Sequence, residues 1–466
     1  MVKVVKKYYW VWVGVLFLFL RLPSLFEPYW YGDEGIYLAI GQAIRKGVTL
    51  YLRIHDNKPP TLYYLAAIGQ TVFGFRLILM LVMIPTVILF YKVAKNFLNE
   101  NRTKIVTIIF LVLTSIPVIE GNIANSEIFM LLPTIAGIGL VYKAKNRWSY
   151  LWAGLLLGIA FTIKVPVAVE AMFAGLWIVI TKLKKEKFKI VFDLTVFGIG
   201  FVIPITWWGL YFLRAGAIND FLAAALLQNF GYLSSWQHGA SSGNIVPSGL
   251  MMRLIIMLVS WVLFYVLYLG KKTNSKLLFL MMWFLATIFG ALLSGRPYPH
   301  YLIQVLPPFV MLLAYGWTLV IVLAILATVI LKYKFYFYRT IPYYVNFYAN
   351  NRNFRNYFGG NVESIYKIAD YIRKNSSEED KIFVWGNEPY LFPLSDRLPA
   401  TKYIVTYHIE DFKGYDLTME QLKINMPKFV VYYKMNGKEF SKLNEFLCKY
   451  YYVDEKIGES IIFRQR

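Results

Sequence analysis

A series of long apolar runs, separated by short basic links, limits what this chain can fold into. A membrane-spanning helix needs about 20 mostly apolar residues. Stretches of that order occur at 8–26, 76–94, 105–119, 128–142, 148–163, 165–181, 190–213, 250–270, 277–294 and 301–331. Composition agrees: of 466 residues, 58% are hydrophobic and 16% charged, against about 45–50% and 25% in soluble domains. A soluble enzyme, a disordered chain and a disulfide scaffold are excluded, the last because Cys448 is the single cysteine. The first run is long and aromatic and lacks a small-residue cleavage site, so it reads as a helix rather than a cleaved signal.

The links carry the charge. They hold Lys92, Lys95, Arg102 and Lys104; then Lys143, Lys145 and Arg147; then Lys182, Lys184, Lys185, Lys187 and Lys189; then Lys271, Lys272 and Lys276. With a cytoplasmic N-terminus all four clusters fall on that same side, as the positive-inside rule requires. The net charge of +22 is thereby largely explained, and no nucleic-acid partner is needed. The opposite face receives 27–75, 120–127, 214–249 and 294–300, which are poorer in Lys and Arg.

The fold class that follows is an α-helical polytopic membrane protein of about 10–11 transmembrane helices with a small C-terminal α/β domain. Residues 1–335 form the membrane domain, 336–360 a linker and 361–466 the soluble domain. In the last, 363–374 reads as an amphipathic helix with Ile365, Ile368, Ala369 and Ile372 on one face. Lys381–Trp385, Tyr403–Tyr407 and Lys428–Tyr433 read as short strands, with helices near 417–424 and 437–447. Trp385 to Pro389 reads as a turn after a strand, an acceptor contact being the second reading.

The outer segment 27–75 is too long and too patterned for a plain connector. After Asp33 and Glu34, the positions Ile36, Tyr37, Ile40, Ala43 and Ile44 form one helical face, which fits a helix lying in the membrane interface. Thr61–Phe73 is apolar but short for a crossing. Asp33 and Glu34 read either as a helix N-terminal pair or as a general base with its partner. Lys58 reads as a snorkelling lysine or as a phosphate ligand. Lys164 is a topological marker or a second phosphate cation, and His300 an interfacial residue bonded to backbone or a site residue. Glu170 would pair with a cation, and His55 and His238 read as exposed loop residues. Carboxylates such as Asp33 and Glu127 also suit a divalent cation, Mg or Mn; no cofactor is required by the sequence.

Several of these elements together resemble a known family. They are Arg21 at the end of the first run, Asp33-Glu34, and Asp56-Asn57-Lys58-Pro59-Pro60 followed by Tyr63-Tyr64. Further on come Asn125-Ser126-Glu127, the stretch from Gly158 to Thr162-Ile163-Lys164-Val165-Pro166, and Arg296 with Pro299-His300-Tyr301 and Pro307-Pro308. The pattern resembles the GT-C membrane glycosyltransferases, within them the protein-mannosyltransferase-like group that includes the lipid A aminoarabinose transferases. The resemblance covers roughly 8–331. It departs in Glu127, where many relatives have Asp, and in a membrane core that ends sooner.

The resemblance implies a glycosyltransferase in the plasma membrane. Such an enzyme moves a sugar from a polyprenyl-phosphate donor to a hydroxyl of a lipid, glycan or protein, on the extracytoplasmic face and with inversion. It also implies an extracytoplasmic C-terminal domain. It assigns Asp33, Glu34 and Glu127 to catalysis and Lys58, Lys164, Arg296, Arg53 and His300 to the donor phosphate. Asp56, Tyr63 and Tyr301 are assigned to substrate binding. Two other readings of the scaffold are a transporter or flippase for lipid-linked or anionic substrates, and a non-catalytic subunit. The transporter reading predicts paired broken helices with charges deep in several spans, whereas the candidates found are Asp193 and Glu170, both near helix ends.

Overall fold

The computed structural model describes residues 8–183, 187–229, 249–294, 296, 298–315, 337–349, 354–434 and 440–466. His238, the later part of the 301–331 run and parts of the 336–360 stretch lie outside the described residues. The chain is mostly helical. Its first helices are α1 (Tyr9–Leu25), α2 (Gly32–Arg45), α3 (Thr61–Gly69) and α4 (Val72–Ala94). Among the described residues, five helices are long and apolar enough to cross a membrane: α4, Ser126–Lys143, Lys187–Arg214, Gly249–Leu269 and Ser275–Leu292. The apolar run after Pro60 does not cross. It forms the nine-residue α3, which stops at Gln70, whose backbone has φ 63°.

The chain divides into two compact units, each discontinuous in sequence. The first comprises Met1–Leu22, Leu79–Tyr211 and Leu226–Ile341. In an apolar solvent helices associate through close packing and interhelical hydrogen bonds rather than hydrophobic burial, and both devices are visible. A Cβ on Gly154 would lie 2.0 Å from the Phe197 carbonyl, and one on Gly200 2.2 Å from the Leu151 carbonyl. Helices Arg147–Phe161 and Lys187–Arg214 therefore touch backbone to backbone. Phe90 and Phe110 stack with centroids 4.1 Å apart. Buried Arg21 donates to the carbonyls of Thr114 and Gly121, tying the end of α1 to the segment before Glu127. Glu170 does not meet a cation: its two oxygens accept from Trp283 Nε1 and Gln304 Nε2, each at 2.8 Å. Neutral donors satisfy it.

The second unit comprises Pro23–Ile78, Phe212–Ala225 and Pro342–Arg466. Its sheet has the order β2-β1-β3-β5-β4, with β1 Lys381–Trp385, β2 Leu398–Pro399, β3 Phe429–Tyr433, β4 Tyr451–Ile457 and β5 Ser460–Gln465. β2, β1 and β3 are parallel, and β5 and β4 add antiparallel. Helix α5 (Gly360–Lys374) buries Ile365, Ile368, Ala369 and Ile372, the apolar face read from the sequence. Tyr403–Tyr407 is not a strand. Its last residues open helix α6 (Thr406–Asp411), whose Thr406 N–H and hydroxyl both bond the Gly386 carbonyl after β1. β-Branched residues there favoured a strand in the abstract, but the tertiary bond to β1 decides. The β4–β5 hairpin, with its exposed outer strand, carries no periodic signal strong enough to read.

Helix α2 is not an interfacial helix with one wet face. Residues Glu34 to Ala43 are all buried. A Cβ on Gly41 would lie 2.7 Å from the Ala67 backbone of α3, and one on Gly35 3.0 Å from Pro389. The C-terminal domain thus packs on the first turn of α2.

The centre of this unit is ionic. Arg76, in the first turns of α4, donates to Glu34 at 2.7 and 2.5 Å and to the Ser24 carbonyl at 2.9 Å, and pairs with Glu27 at 2.7 Å. Glu27 also accepts from Trp30 Nε1 at 2.7 Å and Tyr343 hydroxyl at 2.6 Å. All three charged groups are buried. Removing the cation strands two carboxylates, a loss of about 3–5 kcal/mol in comparable sites. Arg76→Leu is therefore expected to lower the thermal midpoint sharply in detergent, and adding Glu27→Gln and Glu34→Gln to that variant should recover part of it. An Arg76→Leu midpoint equal to that of the wild type would refute the arrangement.

Candidate active site

The motif residues read from the sequence gather in two clusters, one in each unit. In the second unit the cluster begins at the N-terminus of α2. Tyr31 is the N-cap, so Asp33 and Glu34 sit in the first turn, where the helix dipole favours acids. The two diverge at once. Glu34 turns inward to Arg76. Asp33 stays about one-third exposed, accepts from the Tyr37 hydroxyl at 3.2 Å and lies 3.5 Å from Lys58 Nζ. With both oxygens on Arg76, Glu34 is a packing ion-pair partner.

Lys58 is fixed through its backbone as well as its ammonium. Tyr51 hydroxyl donates to its carbonyl at 2.7 Å, and its N–H donates to the Tyr63 hydroxyl at 3.2 Å. Tyr51 has φ 65° and begins a tight loop closed by its N–H on the Ile54 carbonyl at 2.8 Å. The Lys58 ammonium lies 5.0 Å from the Tyr37 ring centroid and 3.9 Å from Asp56 Oδ2. Pro59 and Pro60 then start α3 with φ values suited to a first turn.

Asp56 is fully enclosed. It accepts from Tyr63 hydroxyl and from the Asn57 N–H, each at 2.7 Å. His408 Nε2, from α6, stands 3.5 Å from its other side. Burial works to raise the Asp56 carboxyl. Lys58 and His408, with the bonds from Tyr63 and Asn57, outweigh it and hold the group below the ordinary carboxylate value. Burial also keeps Tyr63, Tyr37 and Tyr51 protonated well above the usual phenol range. Asp56 and Tyr63 thus support Lys58 from behind. Both are enclosed. His55 is likewise buried, against expectation: its N–H bonds the Lys402 carbonyl at 3.0 Å and its ring meets Phe412 at 4.7 Å. Burial, with neighbouring His408, pushes its imidazole down to about 3. Arg53 is exposed.

In the first unit, the segment 114–127 and two turns form the other cluster. Lys164 does sit in a turn, between helices Arg147–Phe161 and Val167–Lys182. It pairs with Glu127, and its ammonium lies 4.2 Å from the Tyr301 ring centroid. Ser126 hydroxyl donates to the other Glu127 oxygen at 2.8 Å. His300 bonds Glu120 through Nδ1, and its Nε2 lies 3.6 Å from Glu127. His300 is therefore held by a carboxylate, not by backbone. Arg296 is half-buried, with its N–H on Ser294 hydroxyl at 3.3 Å.

Sequence reasoning missed Glu120, Arg76, Glu27 and His408. Glu120 had a signal, being a second acid in the same short outer segment as Glu127. The others had none, because their partners lie far along the chain. Asp33 and Glu127, considered for a divalent cation, each pair with a lysine, and among the described residues no three His, Cys, Asp or Glu converge as a metal set.

Residues 57–208 match the family described as dolichyl-phosphate-mannose-protein mannosyltransferase. That stretch takes in Lys58, Glu127 and Lys164. No curated protein matches the chain. Among solved structures, ArnT from Cupriavidus metallidurans in the apo state is similar over 99% of this chain and 98% of that one, at 12% identity and a TM-score of 0.61. ArnT from the same organism bound to undecaprenyl phosphate is similar over 98% of each chain, at 13% identity and the same TM-score. At these identities the likeness shows the fold alone: the chain has an ArnT-like fold.

Tyr63→Phe tests the support of Asp56. A hydrogen bond to a charged group contributes about 1.5–3 kcal/mol. A lowered carboxyl contributes stability above its unfolded value of about 3.9, and that contribution is lost as pH falls through the lower folded value. The variant should therefore be less stable than the wild type at pH 7, with the gap narrowing below about pH 4. Thermal midpoints across that range check this; a gap that widens toward acid would contradict it.

Proposed function

We propose that this protein is a membrane glycosyltransferase that moves a sugar from a polyprenyl-phosphate donor to a hydroxyl acceptor on the extracytoplasmic face, with inversion. One observation carries the reading: a partly exposed carboxylate, Asp33, held beside an ammonium, Lys58, on a rigid tyrosine-lined support. The mannosyltransferase-family match over 57–208 supports the reaction class. The fold shared with an ArnT that binds undecaprenyl phosphate supports the donor class.

The chemistry assigns one task to each group. The acceptor oxygen attacks the anomeric carbon on the face opposite the phosphate. Its proton passes to an Asp33 oxygen as the new C–O bond forms. The bond from the anomeric carbon to the phosphate oxygen breaks, and the electron pair leaves with polyprenyl phosphate. Negative charge grows on that phosphate, where a fixed cation stabilises the transition state more than the ground state. Lys58 supplies such a cation. Lys164, with Glu127 and His300 around it, is assigned to phosphate in the same reading, and Arg296 joins it. A phosphate reaching Lys164 competes with Glu127 for the ammonium. Tyr301 provides a ring under that ammonium when the carboxylate lets go.

A positioned general base contributes about 10²–10⁴-fold. Asp33→Asn is expected to lower turnover by that order while leaving donor affinity near that of the wild type. Lys58→Met should weaken both. The assay follows released polyprenyl phosphate and glycosylated product by mass spectrometry, from protein in lipid with a panel of polyprenyl-phosphate sugars. Turnover retained in Asp33→Asn would remove Asp33 as base. Absence of turnover in the wild type with every donor, together with donor movement across liposomes, would replace the enzyme reading by a transporter.

A further inference from the structure

The C-terminal domain reaches the Asp33–Lys58 pair through one buried side chain. His408 is 4% exposed, and its Nε2 faces Asp56 Oδ1 at 3.5 Å. Asp56 Oδ2 in turn lies 3.9 Å from the Lys58 ammonium. We propose that His408 is a positioning residue that acts through Asp56 to hold the Lys58 ammonium toward Asp33, so that the C-terminal domain completes the site.

The local fold explains why this histidine can do so. α6, which carries His408, is pinned to the turn after β1. Thr406 bonds the Gly386 carbonyl twice, and the Tyr407 N–H reaches Asn387 Oδ1 at 3.4 Å. The same turn continues into Pro389 and Tyr390, which pack on Gly35 next to the acidic pair. The Trp385–Pro389 turn thus sets α6 and the start of α2 together. His55, one residue before Asp56, adds a backbone bond to Lys402, and its ring meets His408 edge-on at 6.0 Å.

The chemistry selects one form of the ring. His408 Nδ1 is buried and has no hydrogen-bond partner, so a proton there would be stranded. A proton on Nε2 points at the Asp56 carboxylate. The ionisable groups acting on His408 are Asp56, Lys58, Asp411, Asp33 and His55. Burial lowers its imidazole against the pull of Asp56, which favours the uncharged ring beside the carboxylate. Without His408, Asp56 keeps Tyr63 and Asn57 but loses the group that backs its Oδ1 side, and its hold on the Lys58 ammonium loosens. A mobile Lys58 reaches a phosphate less often in the productive geometry.

The proposal rests on the reading that Lys58 serves the donor phosphate, and two readouts separate their failures. The first does not use turnover. Lys58 in the folded protein is trace-labelled with acetic anhydride at fixed pH, and its acetylation rate is read by mass spectrometry. His408→Phe is expected to raise that rate several-fold. His408→Gln, which keeps an N–H donor, should stay near the wild type. Asp56→Asn should raise the rate as much or more. In the Asp56→Asn background, His408→Phe should then add nothing, because the effect runs through Asp56. A merely structural role would add in both backgrounds. If His408→Phe does not fold, His408→Ala is read in its place.

The second readout is turnover: His408→Phe should lower kcat/KM by roughly 10- to 100-fold through a misplaced group, with recovery in His408→Gln. An unchanged labelling rate in His408→Phe, or an equal rise with and without Asp56, overturns the proposal. A changed labelling rate with no wild-type turnover overturns the functional reading and leaves the His408 coupling standing.

Discussion

Much of the second unit depends on one buried guanidinium. Arg76 gathers the end of α1 through Ser24 and Glu27, the start of α2 through Glu34, and the Tyr343 region through Glu27. A planar cation with several donors can satisfy two carboxylates and a carbonyl at once, which a lysine cannot. Because Glu34 is locked inward, its neighbour Asp33 is rotated by one helical step to the other side. The residue that stays buried thus fixes the direction of the residue that stays available. A motif of two adjacent acids reads as one chemical unit in the sequence, and the fold splits it into a buried half and a partly exposed half.

The same division of labour runs through Asp56, Lys58 and Tyr63. A lysine beside an aspartate on a mobile loop would be a weak surface pair. Here Lys58 is clamped at its carbonyl by Tyr51 and at its N–H by Tyr63, and its flexible stem has little left to explore. Asp56 is enclosed, so its interaction with Lys58 is less screened than a surface contact. Three buried phenols supply hydrogen bonds to this region without adding charge.

What the sequence made legible follows from what is local. Apolar runs and basic links report on a bilayer by composition alone, and they located most of the helices that the structure describes. Helix α5 and strands β1 and β3 declare themselves by periodicity, and their cores are as read. Lys164 was placed in a turn by its position between two apolar runs. The misreadings share the opposite property. Helix α2 looked interfacial because its far side holds polar and small residues, Gly35, Gln42 and Gly41. Those residues are required by close neighbours, Pro389 and Ala67, and by Asp396, which accepts from Gln42 at 2.8 Å. Tyr403–Tyr407 looked like a strand until a bond from β1 turned its end into α6. Glu34, His55 and Glu170 were assigned by charge, and each is governed by a partner more than 40 residues away in sequence.

That pattern bears on the role of the C-terminal sheet. β1 and β3 lie parallel and end side by side at Trp385 and Tyr432. In open parallel sheets the ends of such strands are where loops gather function. In this chain the loop after β1 does two mechanical tasks instead: it anchors α6 and it presses on the first turn of α2. The segment 27–75 has too few long elements to hold its own shape, since α3 has nine residues and the loop before it is closed by single bonds. Packing it against a sheet supplies the rigidity that a carboxylate and an ammonium need in order to stay 3.5 Å apart. The sheet is therefore the surface against which the segment holding Asp33 and Lys58 is set, through Pro389 and Tyr390 on Gly35.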